Sequence, residues 1–250
     1  MSQIQNIGRR LKENATLQKF IYSYLENKKL CWFVIIILVV RTFFVSYYHI
    51  PTSSMNPSLM EGDIVLVNKL AYNVKIPFTD VSFKLGSPKR GDVVTFDING
   101  INMAKRIVAV GGDTIQFIDN RLYVNKKVLS LKRSFNKLVN GKRFERQKKY
   151  QYLNFSETND YNYSYDIVYA TGFTKEHLSR LITNTKPFTI PKHKYFALGD
   201  NRNLSKDSRY LGTVHEKDVI SKIEYVFFNY TSVWNYFFGD VTSLRFFEVI

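Results

Sequence analysis

The longest run of hydrophobic positions in the chain lies near its N-terminus. Leu30–Tyr48 reads LCWFVIIILVVRTFFVSYY, and Arg41 is its one charged residue. As a helix, such a run extends about 28 Å, close to the hydrocarbon thickness of a bilayer. A core helix of a soluble domain of this size would be polar on its exposed side, and a cleavable signal would end in small residues; neither pattern is present. The run therefore predicts one transmembrane helix.

The charges that flank this run differ between its two sides. Residues 1–29 form a basic tail, whereas Thr42–Asn68 contains no Lys or Arg. Basic flanks stay on the cytoplasmic side of a membrane. We therefore expect a cytoplasmic N-terminus and a domain of residues 49–250 on the outer face.

After the run, the pattern changes to short apolar segments bounded by turn residues, which is typical of strands. Asp119-Asn120 separates two of these segments and predicts a tight hairpin. The domain is therefore predicted to be mainly β. The predicted strands are Ile64–Val67, Val93–Phe96, Asn102–Val110, Thr114–Ile118, Arg121–Val124, Lys194–Gly199 and Val219–Phe228.

Residues of about 125–190 differ in composition from the rest and are rich in Lys, Asn and Tyr. Alternation such as Asp166–Tyr169 predicts strands in a β-rich insertion. A solvated, loop-rich extension explains the same composition nearly as well, and both interpretations stay open.

Composition and charge narrow the function classes. Hydrophobic residues make up 45% of the chain, which excludes a disordered protein. The net charge of +15 fits an anionic membrane surface better than nucleic acid, because no zinc-finger spacing or basic heptad region accompanies it. Cys31 is the single cysteine, so no internal disulfide is possible. The four histidines lack metal-ligand spacing, so we predict no metal and no cofactor.

The segment IPTSSMNPSL, Ile50–Leu59, follows directly after the apolar run and holds a cluster of hydroxyl groups between two prolines. Ser54 is the candidate nucleophile within it. The chain has no GxSxG, GxxxxGK[ST], GxGxxG or HExxH motif, which excludes the enzyme classes that depend on them. A serine needs a neighbouring base, and without a credible histidine that base is a lysine.

A lysine can act as a base only when it is neutral, so its pKa must fall by burial among apolar groups. Lys105 is the lysine embedded in an apolar strand. Alternation places Met103, Lys105 and Ile107 on one face, predicted to be the core face. The opposite arrangement, with Lys105 in solvent and Arg106 inward, fits the spacing equally well.

The motifs resemble those of the bacterial type I signal peptidases, membrane-bound serine–lysine proteases. IPTSSMNPSL resembles their IPSGSMxPTL, and GDIVLVNK matches the box that follows it. RGDVV and AKRIVAVGGD resemble RGDIV and xKRxxGLPGD, and GDNRNLSKDSRYLG resembles GDNRDNSxDSRxxG. The motifs occur in the family's order after an apolar run. The resemblance implies the family's β-fold of antiparallel sheets and removal of signal peptides from exported preproteins after small-x-small sites, at the bacterial cytoplasmic membrane.

The resemblance also implies roles for individual residues. Ser54 would be the nucleophile and Lys105 the general base, acting through an acyl-enzyme, with Thr52 and the Ser54 amide forming the oxyanion hole. Ser205 would orient the lysine. Asp207 and Arg209 would form a structural ion pair, and Asp200 and Asn201 would shape the same loop. Ile50, Pro51 and Met55 are candidate substrate contacts, and the substrate would bind as an added strand.

Several positions depart from the family pattern. Asn203 and Leu204 replace the usual Asp-Asn, Ala109 and Gly111 replace a glycine and a proline, and Met103 replaces a residue that is often aromatic. The partners expected are signal peptides and the lipid bilayer, without an obligate protein partner. The alternatives are a conjugation or pilin-processing peptidase, an SOS-repressor-like autoprotease, and an inactive scaffold that binds signal peptides.

Overall fold

The fold is described from a computed structural model of the chain. The structure describes residues 26–75, 81–98, 100–134, 151–158, 163–173, 181–230 and 245–250, together with Lys19, Ser23 and Thr79. Most of the predicted N-terminal tail and parts of the predicted insertion lie outside these residues. Residues 1–44 and 45–250 form two separate units.

The described elements are mostly strands, as the apolar pattern predicts. The helices are α1 (Lys28–Phe43) and α2 (Ser208–Leu211), and 3-10 turns cover Ser53–Met55 and Glu216–Asp218. The strands are β1 (Val45–His49), β2 (Asp63–Asn68), β3 (Asn73–Lys75), β4 (Ser82–Lys84), β5 (Val93–Ile98), β6 (Ile101–Val110), β7 (Thr114–Ile118), β8 (Arg121–Val124), β9 (Lys127–Val128), β10 (Ser130–Arg133), β11 (Gln151–Thr158), β12 (Ser164–Thr171), β13 (Phe188–Thr189), β14 (Lys194–Leu198), β15 (Val214–His215), β16 (Val219–Asn229) and β17 (Phe246–Val249).

Helix α1 is shorter than the helix predicted over Leu30–Tyr48. It ends at Phe43, and residues 45–49 form β1. The prediction is wrong over this last part because the backbone of Val45–His49 pairs antiparallel with β2 instead of continuing the helix. Aromatic and β-branched residues in this segment favour a strand. Within the described residues, no helix combines the length and hydropathy that a membrane crossing requires.

The main antiparallel sheet holds the elements that matter for function. Its described strands run in the order β1-β2-β16-β5-β6-β14-β15, and β17 also pairs with β16. On β2, Asp63, Val65 and Val67 are buried while the residues between them are half-buried, the period-2 pattern of a strand that covers a core. Met55 and Leu59 pack into the same apolar cluster as Val65 and Val67, so the chain between β1 and β2 is fixed by the core.

The hairpin predicted at Asp119-Asn120 is present between β7 and β8, which pair from Ile115 with Val124 to Ile118 with Arg121. Asp119 and Asn120 have φ of 50° and 63°. Two consecutive residues with positive φ form the turn that matches the twist of a two-residue hairpin, and Asp and Asn tolerate it. The predicted tight hairpin at Asp119-Asn120 is therefore confirmed.

The insertion is a folded β-structure over the residues described. β10, β11 and β12 form an antiparallel sheet, and Ile167 and Val168 on β12 are fully buried. Val168 also forms a parallel bridge with Asn201 of the main domain. The alternative of a solvated extension is therefore wrong for the β11–β12 hairpin, because its apolar face is covered.

Candidate active site

The candidate nucleophile lies in residues 50–62, which we call the 50–62 loop, between the paired strands β1 and β2. The amide of Ile50 donates to the Asp63 carbonyl at 2.9 Å, and the amide of Gly62 donates to the Ile50 carbonyl at 2.9 Å. These two bonds close the base of the loop. Ser54 lies in the 3-10 turn at its tip, half-buried.

Lys105 reaches the nucleophile from the neighbouring strand β6. Its Nζ donates to Ser54 Oγ at 2.7 Å and to the Ala104 carbonyl at 2.9 Å. The residue is 4% exposed. Arg106, the next residue, is buried as well, at 2%. The sequence left open which of the two points inward, and the structure buries both.

Burial lowers the pKa of Lys105 from 10.5 to about 8, because the charged ammonium loses water that the protein does not replace. The negative charges of Asp207 and Asp200 oppose this shift, and the positive charge of Arg209 adds to it. At pH 7 about one Lys105 in ten is then neutral, which is enough for the amine to accept a proton.

The two carboxylates near Lys105 are each paired with an arginine. Asp207 Oδ1 and Oδ2 accept from Arg209 Nε and Nη2, both at 2.8 Å. Burial alone would raise the pKa of Asp207, but Arg209 and the Gly199 amide lower it more, so the group stays ionised. Asp200 and Arg106 form a similar two-point pair on the other side, at 2.9 and 2.7 Å. Because both carboxylates are compensated, they offset only part of the fall in the pKa of Lys105 that burial causes.

Asn201 fixes the backbone of the nucleophile turn. Its amide donates to the Ser54 carbonyl and its side-chain Nδ2 donates to the Ser53 carbonyl, both at 3.1 Å. Gly199 lies close by: a Cβ there would stand 2.5 Å from the Ser54 carbonyl oxygen and 2.1 Å from Ser205 Oγ. The absence of a side chain at Gly199 therefore lets the two loops approach each other.

The predicted hydrogen bond from Ser205 to Lys105 is not formed. Among the described residues, Ser205 Oγ is buried without a hydrogen-bond partner. Its hydroxyl faces Gly199, and the Nζ of Lys105 donates instead to Ser54 and to the Ala104 carbonyl. Ser205 therefore packs beside Gly199, and a role for it in orienting the lysine stays a prediction.

Thr52 places a second hydroxyl beside the nucleophile. Thr52 Oγ1 lies 3.3 Å from Ser54 Oγ. Its backbone is extended, with φ −132° and ψ 155°, which brings the side chain to the same side as Ser54. An oxyanion that forms on the carbonyl attacked by Ser54 would lie within reach of this hydroxyl.

A cleft of about 510 Å³ opens beside Ser54 and Lys105. Its walls include the three residues predicted to contact substrate, Ile50, Pro51 and Met55, and also Leu204, one of the departures from the family pattern. One rim is the start of β6. There β5 pairs with residues 101–106, whereas the described pairing of β14 with β6 covers only residues 106–110. The start of β6 therefore offers an open strand edge to an extended ligand.

Arg245, which is not among the predicted site residues, contacts the 50–62 loop. It is 2% exposed and donates to Asp63 Oδ2 at 2.6 Å and to the Ser58 carbonyl at 2.9 Å. Asp63 also accepts from the Met60 amide at 2.7 Å. The cue that identified Lys105, a charge within an apolar strand-like segment, is also present in SLRFFEVI and could have identified Arg245.

Comparisons with known proteins identify the class. The family model described as "Signal peptidase, peptidase S26" matches residues 26–228. The chain is therefore a peptidase. It belongs to the signal peptidase family, peptidase S26, which confirms the resemblance inferred from its motifs.

Two individual relatives agree with the family match. A signal peptidase I of Buchnera aphidicola subsp. Baizongia pistaciae is 33% identical over 77% of this chain and 73% of its own length. One of Pseudomonas aeruginosa is 34% identical over 75% of this chain and 66% of its own length. A crystal structure of a signal peptidase I from Enterococcus faecalis V583 matches with 31% sequence identity and a TM-score of 0.31. The match covers 54% of this chain and 95% of the chain in the crystal structure.

Proposed function

We propose that the protein removes signal peptides from exported preproteins, with Ser54 as nucleophile and Lys105 as general base. The observation that carries this proposal is the 2.7 Å contact between Lys105 Nζ and Ser54 Oγ, made by a lysine that is 4% exposed. Burial lowers the pKa of this lysine to about 8, so the neutral amine is accessible at physiological pH. Membership of a peptidase family supports the same chemistry.

The reaction follows from these positions. Neutral Lys105 accepts the proton of Ser54 as Oγ attacks the scissile carbonyl, and a C–O bond forms. The Ser54 amide and the Thr52 hydroxyl stabilise the oxyanion. Lys105 returns its proton to the leaving amine as the C–N bond breaks, which leaves an acyl-enzyme. A water molecule, deprotonated by the same lysine, then releases the acyl group and regenerates Ser54.

The substrate binds as an extended strand in the cleft. The open start of β6 supplies main-chain donors and acceptors, and the side chains of Ile50, Pro51 and Met55 contact alternate positions of the peptide. Cleavage after small-x-small sites follows if the wall of the cleft accepts only small side chains at alternate positions of the bound peptide. The cleft volume of about 510 Å³ is shared by several substrate residues.

The reaction takes place at the surface of a bilayer, with α1 as part of a membrane anchor and residues 49–250 outside the bacterial cytoplasmic membrane. The sequence of α1 is apolar except near its ends. In the other unit, Tyr47, Leu66, Tyr225 and Val249 align across four neighbouring strands and share one face. Three of the four are exposed, and an exposed aromatic and aliphatic sheet face suits a membrane interface.

Replacement of the two central residues tests the proposal. Ser54→Ala and Lys105→Ala should each abolish processing of a preprotein while the chain stays folded. Ser53→Ala is the matched control, because it removes a neighbouring hydroxyl and should retain activity. Cleavage by either Ser54→Ala or Lys105→Ala at the wild-type rate contradicts the mechanism. The sequence of the released peptides identifies the cleavage site and distinguishes signal peptides from pilin-type substrates.

A further inference from the structure

The β11–β12 hairpin of the insertion contacts the loop that begins at Gly199. The amide of Val168 donates to the Asp200 carbonyl at 2.9 Å, and the amide of Arg202 donates to the Val168 carbonyl at 2.9 Å. Asn203 Nδ2 adds a bond to the Ala170 carbonyl at 3.1 Å. The hairpin therefore extends the backbone pairing of its own sheet onto residues 200–202 of the main domain, and the Asn203 side chain adds a further bond.

A buried ion pair lies at the centre of this contact. Arg202 Nη1 donates to Glu157 Oε1 at 2.7 Å, and Nη2 donates to Oε2. The side chains of Arg202 and Glu157 are 3% and 2% exposed. Tyr165, on β12, donates its hydroxyl to Glu157 Oε2 at 2.7 Å. Removing one partner would leave the other charge buried and uncompensated, which strongly destabilises the local structure.

The residue between Asp200 and Arg202 is Asn201, which holds the nucleophile turn through the Ser53 and Ser54 carbonyls. A continuous set of contacts thus links Glu157 on the insertion to the backbone of Ser54. The hairpin also approaches the site from the other face of β6, where the Tyr165 ring lies 4.3 Å from the Arg106 guanidinium. Arg106 in turn pairs with Asp200.

We propose that Glu157 and Arg202 are positioning residues for the peptidase reaction, and that the insertion is a part of the catalytic apparatus. Their ion pair fixes the loop that begins at Gly199 so that Asn201 holds Ser54 within hydrogen-bond distance of Lys105. This inference rests on the proposed role of Ser54 as nucleophile. It assigns to the insertion a role that the residues of the cleft alone would not reveal.

The variant that tests the inference is Glu157→Gln in the full-length chain in detergent micelles. Glutamine keeps the side-chain size and removes the charge that compensates Arg202. We expect kcat for a preprotein to fall at least tenfold with KM within about twofold, because no wall of the cleft changes. Labelling of Ser54 by a serine-reactive acylating inhibitor should slow by a similar factor.

Hydrogen–deuterium exchange measured on the same variant separates positioning from general stability. Amides of residues 200–204 and 53–56 should exchange faster than in wild type, while those of β5 should be unchanged. Lys132→Gln, an exposed charge change on the adjacent strand β10, is the matched control and should behave as wild type. Wild-type labelling and exchange in Glu157→Gln would overturn the inference. So would faster exchange throughout β5, since Glu157 would then stabilise the whole domain.

A milder variant keeps the test decisive if Glu157→Gln does not fold. Tyr165→Phe removes one hydrogen bond to Glu157 and leaves the ion pair in place. It should slow Ser54 labelling severalfold and loosen residues 200–204, and a wild-type rate would contradict the inference. Failure of the proposed function is recognised separately, because then the wild-type chain itself would not be labelled at Ser54.

Discussion

Replacement of Lys105 by methionine should make the protein inactive and, near neutral pH, relieve an energetic cost. The folded protein lowers the pKa of Lys105 from 10.5 to about 8. One pKa unit corresponds to about 1.4 kcal/mol, so keeping this lysine charged costs the folded state about 3 kcal/mol. Methionine has a similar length and no charge, so Lys105→Met removes that cost. It also removes two hydrogen bonds from Nζ, each worth about 1 kcal/mol.

The pH dependence separates these two contributions. Because the folded pKa lies below the unfolded one, the unfolded chain binds more protons between pH 8 and pH 10.5. The free energy of unfolding of the wild type therefore rises with pH across this window, relative to the variant. Below pH 8 the lysine is charged in both states and the cost is fully present. Above pH 10.5 it is neutral in both states and the cost is gone.

The measurement is urea unfolding of both proteins at pH 7 and pH 10.5, with the difference between them as the readout, so that other titrating groups cancel. We expect the stability of Lys105→Met relative to wild type to fall by about 3 kcal/mol from pH 7 to pH 10.5. Lys206→Met, which replaces an exposed lysine of the cleft wall, is the control. A difference that stays constant within about 1 kcal/mol would refute the argument that burial makes Lys105 a base.

Three further predictions concern the surroundings of Ser54 and Lys105. The acidic limb of kcat/KM should lie near pH 8 in wild type, and Arg209→Met should move it to higher pH because the charge of Asp207 then acts on Lys105 uncompensated. Arg209→Lys should shift the limb less, and an unchanged limb in Arg209→Met contradicts the argument. Thr52→Val should lower kcat roughly 100-fold, as loss of an oxyanion donor does, while Thr52→Ser should retain activity. Equal rates for the two variants would exclude an oxyanion role for Thr52. Gly199→Ala should lower both the melting temperature and the processing rate, because its Cβ would stand 2.5 Å from the backbone oxygen of Ser54. A wild-type melting curve would contradict this, since the 50–62 loop and the loop that begins at Gly199 could then separate without cost.

The sequence predicted those parts of the fold that depend on local pattern. Short apolar runs between turn residues located β2, β5, β6, β7, β8, β14 and β16 to within a few residues. The hairpin turn at Asp119-Asn120 followed from residue types that accept positive φ. The end of α1 was predicted incorrectly because the same apolar residues can continue a helix or pair as a strand. Pairing with β2, which lies outside the run, decides between these outcomes.

The candidate site was predictable where a polar residue interrupts an apolar pattern, and less so where the residue lies in a segment that is polar throughout. Lys105 stood out in this way, and Ser54 stood out through its proline-flanked hydroxyl cluster. Glu157 did not, because it lies among other polar residues in QYLNFSET, and only its contact with Arg202 gives it a role. Composition alone left that contact unspecified.

The question that the sequence left open for β6, whether Lys105 or Arg106 points inward, assumed that one face of the strand meets solvent. In the structure, elements from outside the sheet cover both faces. The 50–62 loop brings Ser54 against Lys105, and the insertion brings Tyr165 over Arg106. Alternation therefore places two basic residues in two different buried environments. The lysine, which loses water and gains no carboxylate of its own, is the one whose pKa falls, whereas the arginine is neutralised by Asp200. The insertion that seemed peripheral in the sequence is thus one of the elements that give the two neighbours different chemistry.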